Sequence, residues 1–131
     1  MAAQRGAMTK HIWYWIFTIL MALWLTPSGM VDVLGASFAV KILAHLAYPA
    51  YMSYILGAAK LLAMAAIFYP GTRLLREWAY AGLTFELIGA FISHLCSHDP
   101  VTTALAPVLV LGFVAGSYLL RPEKYRLRAA A

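Results

Sequence analysis

Two ionisable residues, Lys60 and Glu86, lie in the middle of long apolar stretches of the sequence. Each is about nine residues from the end of its stretch, which at about 1.5 Å per helical residue places both roughly 13 to 14 Å from the same membrane boundary. A charge at mid-membrane costs roughly 2.5 to 3.5 kcal/mol, so it needs a partner, a cavity or a proton. Matching depth predicts an ion pair between them. The pair either sets helix register or contacts a ligand or exchanges a proton, and both interpretations stay open.

His94 lies on the same predicted helical face as Glu86, further along the sequence. Histidine exchanges protons at physiological pH, which makes His94 a candidate acid or base. Asp32, toward the far end of the first apolar stretch, has a similar predicted depth. We therefore expect an oriented pair of His94 and Asp32, and we take Glu86, His94 and Asp32 as the acid–base candidates.

His94 and His98 are spaced i and i+4, a separation that could put two imidazoles on one metal ion. The run HLCSH lacks the glutamate that follows the first histidine of zinc proteases, and Cys96 is the only cysteine. We predict no metal site. His98 and Asp99 are interpreted as residues of a hydrated loop.

The run HLAYPAYMSY, which precedes Lys60 in the sequence, contains three tyrosines. Interfacial anchoring is the default interpretation of such tyrosines. The alternative is a ligand platform, since tyrosine offers a ring to stack on and a hydroxyl that can bind a carbonyl or hydroxyl group. A quinone head group has those needs. On this alternative, the predicted ligand-binding residues are Lys60, Tyr48, Tyr51, Tyr54 and Ser93.

The composition indicates that membrane-spanning helices position these groups. Of 131 residues, 63% are hydrophobic and 11% charged, and the mean hydropathy is +0.76, which is typical of integral membrane proteins. We predict an all-α, integral membrane four-helix bundle, as a single domain over 1–131 that includes an alanine-rich tail. The spans are expected at about 11–35, 49–69, 77–97 and 101–120, and a short interfacial helix at 37–47. A cleaved signal peptide would need a shorter first apolar run.

Basic residues predict the orientation. Only Lys41 falls in a connection on one side of the four-span arrangement, and eight basic residues fall on the other. By the positive-inside rule, both termini are then cytoplasmic, in an inner (plasma) membrane of prokaryotic type. The basic residues form no stripe interleaved with exposed aromatics, so no nucleic acid is expected. The eight are Arg5, Lys10, Arg73, Arg76, Arg121, Lys124, Arg126 and Arg128.

Three runs of the sequence resemble a known family. LAYPAYMSYILGAAKLLA, REWAYAGLTFELIGAFISH and SYLLRP together look like the DoxX-like group of small four-helix membrane proteins, over about residues 10 to 122. The positions that match its recurrent pattern are Asp32, Tyr48, Pro49, Lys60, Glu77, Trp78, Tyr80, Gly82 and His94.

The resemblance implies a four-helix membrane bundle associated with quinone-linked oxidoreductases, such as thiosulfate:quinone oxidoreductase and terminal quinol oxidase, or with complexes that handle oxidative stress. The chain contains no CxxCH, no cysteine pair and no evident flavin motif. We therefore expect no intrinsic cofactor, although a quinone could bind. The expected partners are the lipid bilayer, a hydrophobic small molecule, and either a membrane oxidoreductase subunit or a second copy of the chain.

Three functions of different class remain open. The first is a binding module or accessory subunit that holds a quinone or another hydrophobic ligand. The second is a membrane-embedded isomerase or cyclase that uses an acid–base pair on a lipid-like substrate, since the four-helix architecture is similar to that of sterol isomerases. The third is a structural or assembly protein whose charges only fix helix packing.

Overall fold

Four long helices and one short helix make up most of the protein. In this computed structural model, which describes residues 1–128, the helices are α1 (Ala2–Val33), α2 (Ser37–His45), α3 (Tyr51–Phe68), α4 (Arg73–Cys96) and α5 (Val101–Leu120), followed by a 3₁₀ turn, Glu123–Tyr125. Each of the four helices α1, α3, α4 and α5 has the length and the apolar composition to cross a membrane. The all-α, four-helix membrane fold with a short helix after the first span is thus confirmed. The end of the alanine-rich tail lies outside the described residues.

The helix ends follow from local sequence. Pro100 is the N-cap of α5, and Gly71, with a φ of +85°, lies in the turn between α3 and α4, a conformation that glycine adopts without strain. Pro27 lies inside α1 and does not end it. The expected spans begin near residues 11 and 77, but helix α1 begins earlier, at Ala2, and helix α4 begins at Arg73. Hydropathy indicates only the part of a helix that lies in lipid, whereas backbone hydrogen bonding can continue beyond it.

The four long helices form a closed ring in the order α1, α3, α4, α5, because α1 packs on α3 and α5, and α4 packs on the same two helices. The short helix α2 packs on α1 and α3. The apolar core inside this ring includes Met21, Leu25, Met64, Ile67, Leu83, Val110 and Val114.

Helices α1 and α3 are in close contact at Gly29 and Gly57, each of which packs against the other helix. A Cβ added to Gly57 would lie 2.8 Å from the carbonyl oxygen of Gly29, and one added to Gly29 would lie 3.0 Å from the Cβ of Lys60. Two glycines thus let the two backbones touch, as small residues do in membrane helix pairs. Asp32 lies against Gly57 and Lys60 against Gly29, which puts the two charged residues on facing turns of α1 and α3.

Candidate functional site

A cluster of three charged side chains lies between α1, α3 and α4. The Nζ of Lys60 donates a hydrogen bond to Oδ2 of Asp32 at 2.6 Å and lies 3.1 Å from Oε1 of Glu86. It also donates to Oγ of Ser28 at 3.1 Å. The ion pair of Lys60 and Glu86 that was predicted from depth is present. Asp32, Lys60 and Glu86 are named the charged triad.

The charged triad holds two carboxylates and one ammonium. The exposed fractions of its side chains are 12% for Asp32, 11% for Lys60 and 17% for Glu86. Fully ionised, the triad would carry a net negative charge in an apolar environment, where an unbalanced charge is costly. A proton or a polar ligand group that donates a hydrogen bond would offset that cost. The triad therefore has the composition of a proton-holding or ligand-contacting site.

An apolar groove between α3 and α4 ends at Glu86. Its volume is about 500 Å³. Gly82 lines it without a side chain, and an added Cβ there would meet no atom within 4 Å. Glu86 is the only charged residue that lines it, and Trp78 lies toward its other end. We call this cavity the α3–α4 groove; its other lining residues include Leu56, Ala59, Leu62, Ala63 and Leu75.

A second groove reaches the same triad from α1 and α2. It has a volume of about 480 Å³, and Ser28, Asp32 and Lys60 line it. Trp24 and Pro27 lie on its α1 side, and its remaining walls are Val31, Phe38, Ala39, Ile42 and Leu43. We call it the α1–α2 groove. The two carboxylates of the triad thus face different openings, Asp32 in this groove and Glu86 in the α3–α4 groove.

The predicted pair of His94 and Asp32 is wrong. Asp32 is bound to Lys60, and Nδ1 of His94 instead lies 2.6 Å from Oδ2 of Asp99. The reason is depth: the contact between Gly29 and Gly57 aligns Asp32 with Lys60, whereas His94 lies about 12 Å further along α4 than Glu86. The three acid–base candidates therefore do not form one site.

Asp99 lies in the loop after α4, as expected, but its side chain is not only hydrated. Its side chain is 13% exposed and bridges two histidines, since its other oxygen, Oδ1, lies 2.6 Å from Nε2 of His45 on α2. Hydrogen bonds from His94 and then His45 hold the pKa of Asp99 below its ordinary value. His98 is exposed as expected, and its φ of 56° places it beyond the end of α4. The bridge ties α2 to the turn after α4.

No group of three or more histidine, cysteine, aspartate or glutamate side chains within residues 1–128 is arranged to hold a metal ion. Because α4 ends at Cys96, His98 does not continue the helical face of His94, and the i, i+4 geometry of the metal alternative is not formed.

The tyrosines and Ser93 lie apart from the charged triad. The hydroxyl of Tyr48 is 2.9 Å from Oγ of Ser93, near the bridge of Asp99. Tyr54 packs its ring end against Gly35, where an added Cβ would be 2.6 Å from the hydroxyl, and Tyr51 is exposed. Of the five predicted ligand-binding residues, only Lys60 belongs to the triad.

Sequence reasoning missed Ser28. It lies one turn before Asp32 on α1, and its hydroxyl accepts a hydrogen bond from Lys60. The i, i+4 spacing of Ser28 and Asp32 on a face that also carries Gly29 was the available signal.

A second polar cluster lies near the ends of the bundle that carry the termini. The hydroxyl of Ser117 joins Thr18 at 2.6 Å to Tyr80 at 2.7 Å, all fully or almost fully buried. Nearby, Nη2 of Arg121 lies 2.7 Å from Oε1 of Glu77. Glu77 and Tyr80 were noted only through the family resemblance.

Comparison with protein families gives one finding: the model of the DoxX-like family matches residues 16–117, which is most of the chain. The comparisons with curated proteins and with solved structures give no match. The matched region contains the charged triad, both grooves and the bridge of Asp99.

Proposed function

The chain belongs to the DoxX-like family, and from this premise we propose that it binds a quinone or another hydrophobic ligand within its four-helix bundle. The observation that carries the proposal is the α3–α4 groove, an apolar cavity whose single charged lining residue, Glu86, is part of the charged triad. Ligand sites are mostly apolar cavities with a few convergent polar groups.

The chemistry of the groove fits the two parts of such a ligand. Apolar walls take a hydrocarbon body, and a head group at the end of the groove meets the carboxyl group of Glu86, which Lys60 contacts at 3.1 Å from outside the groove. An ionised carboxylate accepts hydrogen bonds from hydroxyl groups, and a protonated one donates a hydrogen bond to a carbonyl oxygen. Both the oxidised and the reduced form of a quinone could therefore be held.

An accessory role in a membrane redox system is part of the proposal. The chain supplies no cysteine pair and no haem-attachment motif, so a partner oxidoreductase would supply the electron carriers. We place the protein in an inner membrane of prokaryotic type with both termini in the cytoplasm, because the basic residues cluster at the end that carries the termini.

A membrane-embedded isomerase or cyclase is the second candidate, and the excess carboxylate of the charged triad favours it. Glu86 could give or take a proton at a lipid-like substrate within a groove that excludes water. Incubation of the protein and a candidate lipid in heavy water tests this function. Deuterium incorporation that Glu86→Gln abolishes supports an enzyme, and unchanged lipid argues against it.

Tryptophan fluorescence tests the binding proposal, because Trp78 lines the α3–α4 groove and Trp24 lines the α1–α2 groove. Two variants each keep one of these tryptophans and carry phenylalanine in place of the other three. A short-chain ubiquinone analogue, which quenches indole fluorescence, is titrated into each variant in lipid nanodiscs. We expect saturable quenching of Trp78 and weaker, linear quenching of Trp24.

Filling the groove supplies the matched control. Gly82→Leu places a side chain in the groove, whereas Gly112→Leu places the same side chain on an open face of α5 that lines neither groove. We expect Gly82→Leu to abolish saturation and Gly112→Leu to preserve it. Equal, linear quenching of both tryptophans would mean that the quinone only dissolves in the bilayer. The structural or assembly function would then be favoured.

A further inference from the structure

A second cavity lies at the end of the bundle that carries both termini. It has a volume of about 640 Å³ and lies between the first turns of α1 and the segment that follows α5. We call it the terminal pocket. Its small lining residues leave space, since a Cβ added to Gly6 would meet no atom within 4 Å. The lining residues that matter below are Gly6, Ala7, Lys10, Arg121, Glu123 and Arg126.

Arg121 is the buried residue among those that line this pocket. Its side chain is 8% exposed, its Nη2 contacts Oε1 of Glu77 at 2.7 Å, and its guanidinium carbon lies 3.9 Å above the ring of Tyr118. The other two nitrogens, Nε and Nη1, are buried and have no hydrogen-bond partner anywhere in residues 1–128. Burying donors of a charged group without partners is costly. Glu77 lies at Nη2, so the acceptors that are missing are those for Nε and Nη1.

The charge around Arg121 indicates what kind of acceptor fits. Lys10, Arg121 and Arg126 line the pocket together with one acidic residue, Glu123, and Glu77, which is not in the lining, contacts Arg121. Part of the guanidinium of Arg126 is already used, since its Nε donates to the carbonyl oxygen of Arg121 at 3.2 Å. Lys10 and Arg121 come from the two different segments that form the pocket. Paired basic side chains around a cavity are the common means of holding a phosphate.

We propose that the terminal pocket binds a phosphate group, as a phosphate ester, between Arg121 and Lys10. The headgroup of an anionic phospholipid and a soluble phosphate share this chemistry. Basic pockets between membrane helices at the cytoplasmic side are suited to such headgroups. Leu120 and Pro122, which also line the pocket, give the upper part of an acyl chain or glycerol backbone an apolar contact.

Native mass spectrometry of the full chain released from detergent tests the proposal. The probes are phosphatidylglycerol, phosphatidylcholine as the uncharged comparison, and inorganic phosphate as a competitor. Lys10→Gln removes a pocket charge, and Gly6→Leu fills the pocket without changing charge. Arg5→Gln is the matched control, because it removes one charge from the same end and Arg5 does not line the pocket. Circular dichroism confirms that each variant is helical.

We expect the wild-type protein to retain phosphatidylglycerol in preference to phosphatidylcholine. Lys10→Gln should weaken retention about fivefold, the effect of one basic side chain near an anionic headgroup, and Gly6→Leu should weaken it at least as much. Arg5→Gln should leave it unchanged. Displacement of the lipid by inorganic phosphate would identify a soluble phosphate as the occupant, and no displacement would identify the lipid.

Two results would overturn the proposal. In the first, Gly6→Leu binds as the wild type does while Lys10→Gln and Arg5→Gln weaken binding equally, which is the behaviour of a diffuse positive surface. In the second, phosphatidylglycerol and phosphatidylcholine are retained equally. If Gly6→Leu does not fold, the contrast between Lys10→Gln and Arg5→Gln decides, and an equal loss rejects the pocket.

Discussion

Lys60 gives its shortest contact, 2.6 Å, to Asp32. Glu86 lies further from the same ammonium, at 3.1 Å. Asp32 is therefore the closer counter-ion of Lys60, and under the proposed function Glu86 is the carboxylate that a ligand or a proton engages. Glu86 is also the triad residue that lines the α3–α4 groove. This division of roles between two carboxylates determines the first prediction.

Lys60→Met should destabilise the protein by about 3 kcal/mol or more, because it leaves two buried carboxylates without a cation. Glu86→Gln should cost about 1 kcal/mol, the size of one hydrogen bond, since Asp32 and Lys60 remain paired. Unfolding in mixed micelles with increasing dodecyl sulfate measures both. Glu86→Gln should also lose the saturable quinone quenching while it stays folded. Equal destabilisation by the two substitutions would contradict the division of roles.

Gly57→Ala should destabilise the protein by about 1 to 3 kcal/mol, the usual cost of overpacking. The added Cβ would lie 2.8 Å from the carbonyl oxygen of Gly29, so α1 and α3 must separate. The control is Gly82→Ala on α4, where no atom lies within 4 Å and alanine favours the helix by up to about 1 kcal/mol. The same micelle unfolding assay compares the two. Similar losses of stability would show that α1 and α3 do not depend on this contact.

Acid should loosen α2 through Asp99. Because His94 and His45 lower the pKa of Asp99 in the folded protein, the folded state binds a proton less tightly than the unfolded state. The bridge therefore contributes fully above the ordinary aspartate pKa of about 3.9. That contribution is lost as the pH falls below that value, through the lowered pKa.

Thermal unfolding and hydrogen exchange of α2 between pH 6 and pH 3 measure this effect. Asp99→Asn should expose α2 to exchange already at pH 6 and should lose less additional stability in acid than the wild type. The control is His98→Asn, since asparagine tolerates the positive φ of that exposed position. It should follow the wild-type pH profile. If the wild type and Asp99→Asn show the same dependence of stability and exchange on pH, the bridge does not stabilise α2.

Cys96 allows the orientation to be tested without an added label site. It is the chain's only cysteine, it is exposed, and it ends α4 at the side opposite the termini. With cytoplasmic termini, a membrane-impermeant maleimide should label it in intact spheroplasts. Cys96→Ser combined with Arg128→Cys should react only after lysis. The reverse pattern would place the termini outside.

Local sequence pattern was sufficient to predict the fold and one contact of the site, the ion pair of Lys60 and Glu86. Apolar run lengths with Pro100 and Gly71 at their ends predict the helices, and distance along a helix predicts that Lys60 and Glu86 share a depth. The partner of Asp32 depends on how α1 crosses α3, which the contact of Gly29 with Gly57 sets between residues far apart in sequence. The bridge of Asp99 likewise requires α2 to fold back over the turn after α4.

The α3–α4 groove is bordered by exposed apolar side chains, among them Leu62, Leu75 and Trp78, so the proposed ligand would enter it sideways from the lipid. Occupancy is then set by the mole fraction of ligand in the bilayer and not by its concentration in water. Diluting a vesicle sample with buffer should leave occupancy unchanged, whereas adding empty lipid should lower it. The protein would thus sense how much of its ligand the membrane holds.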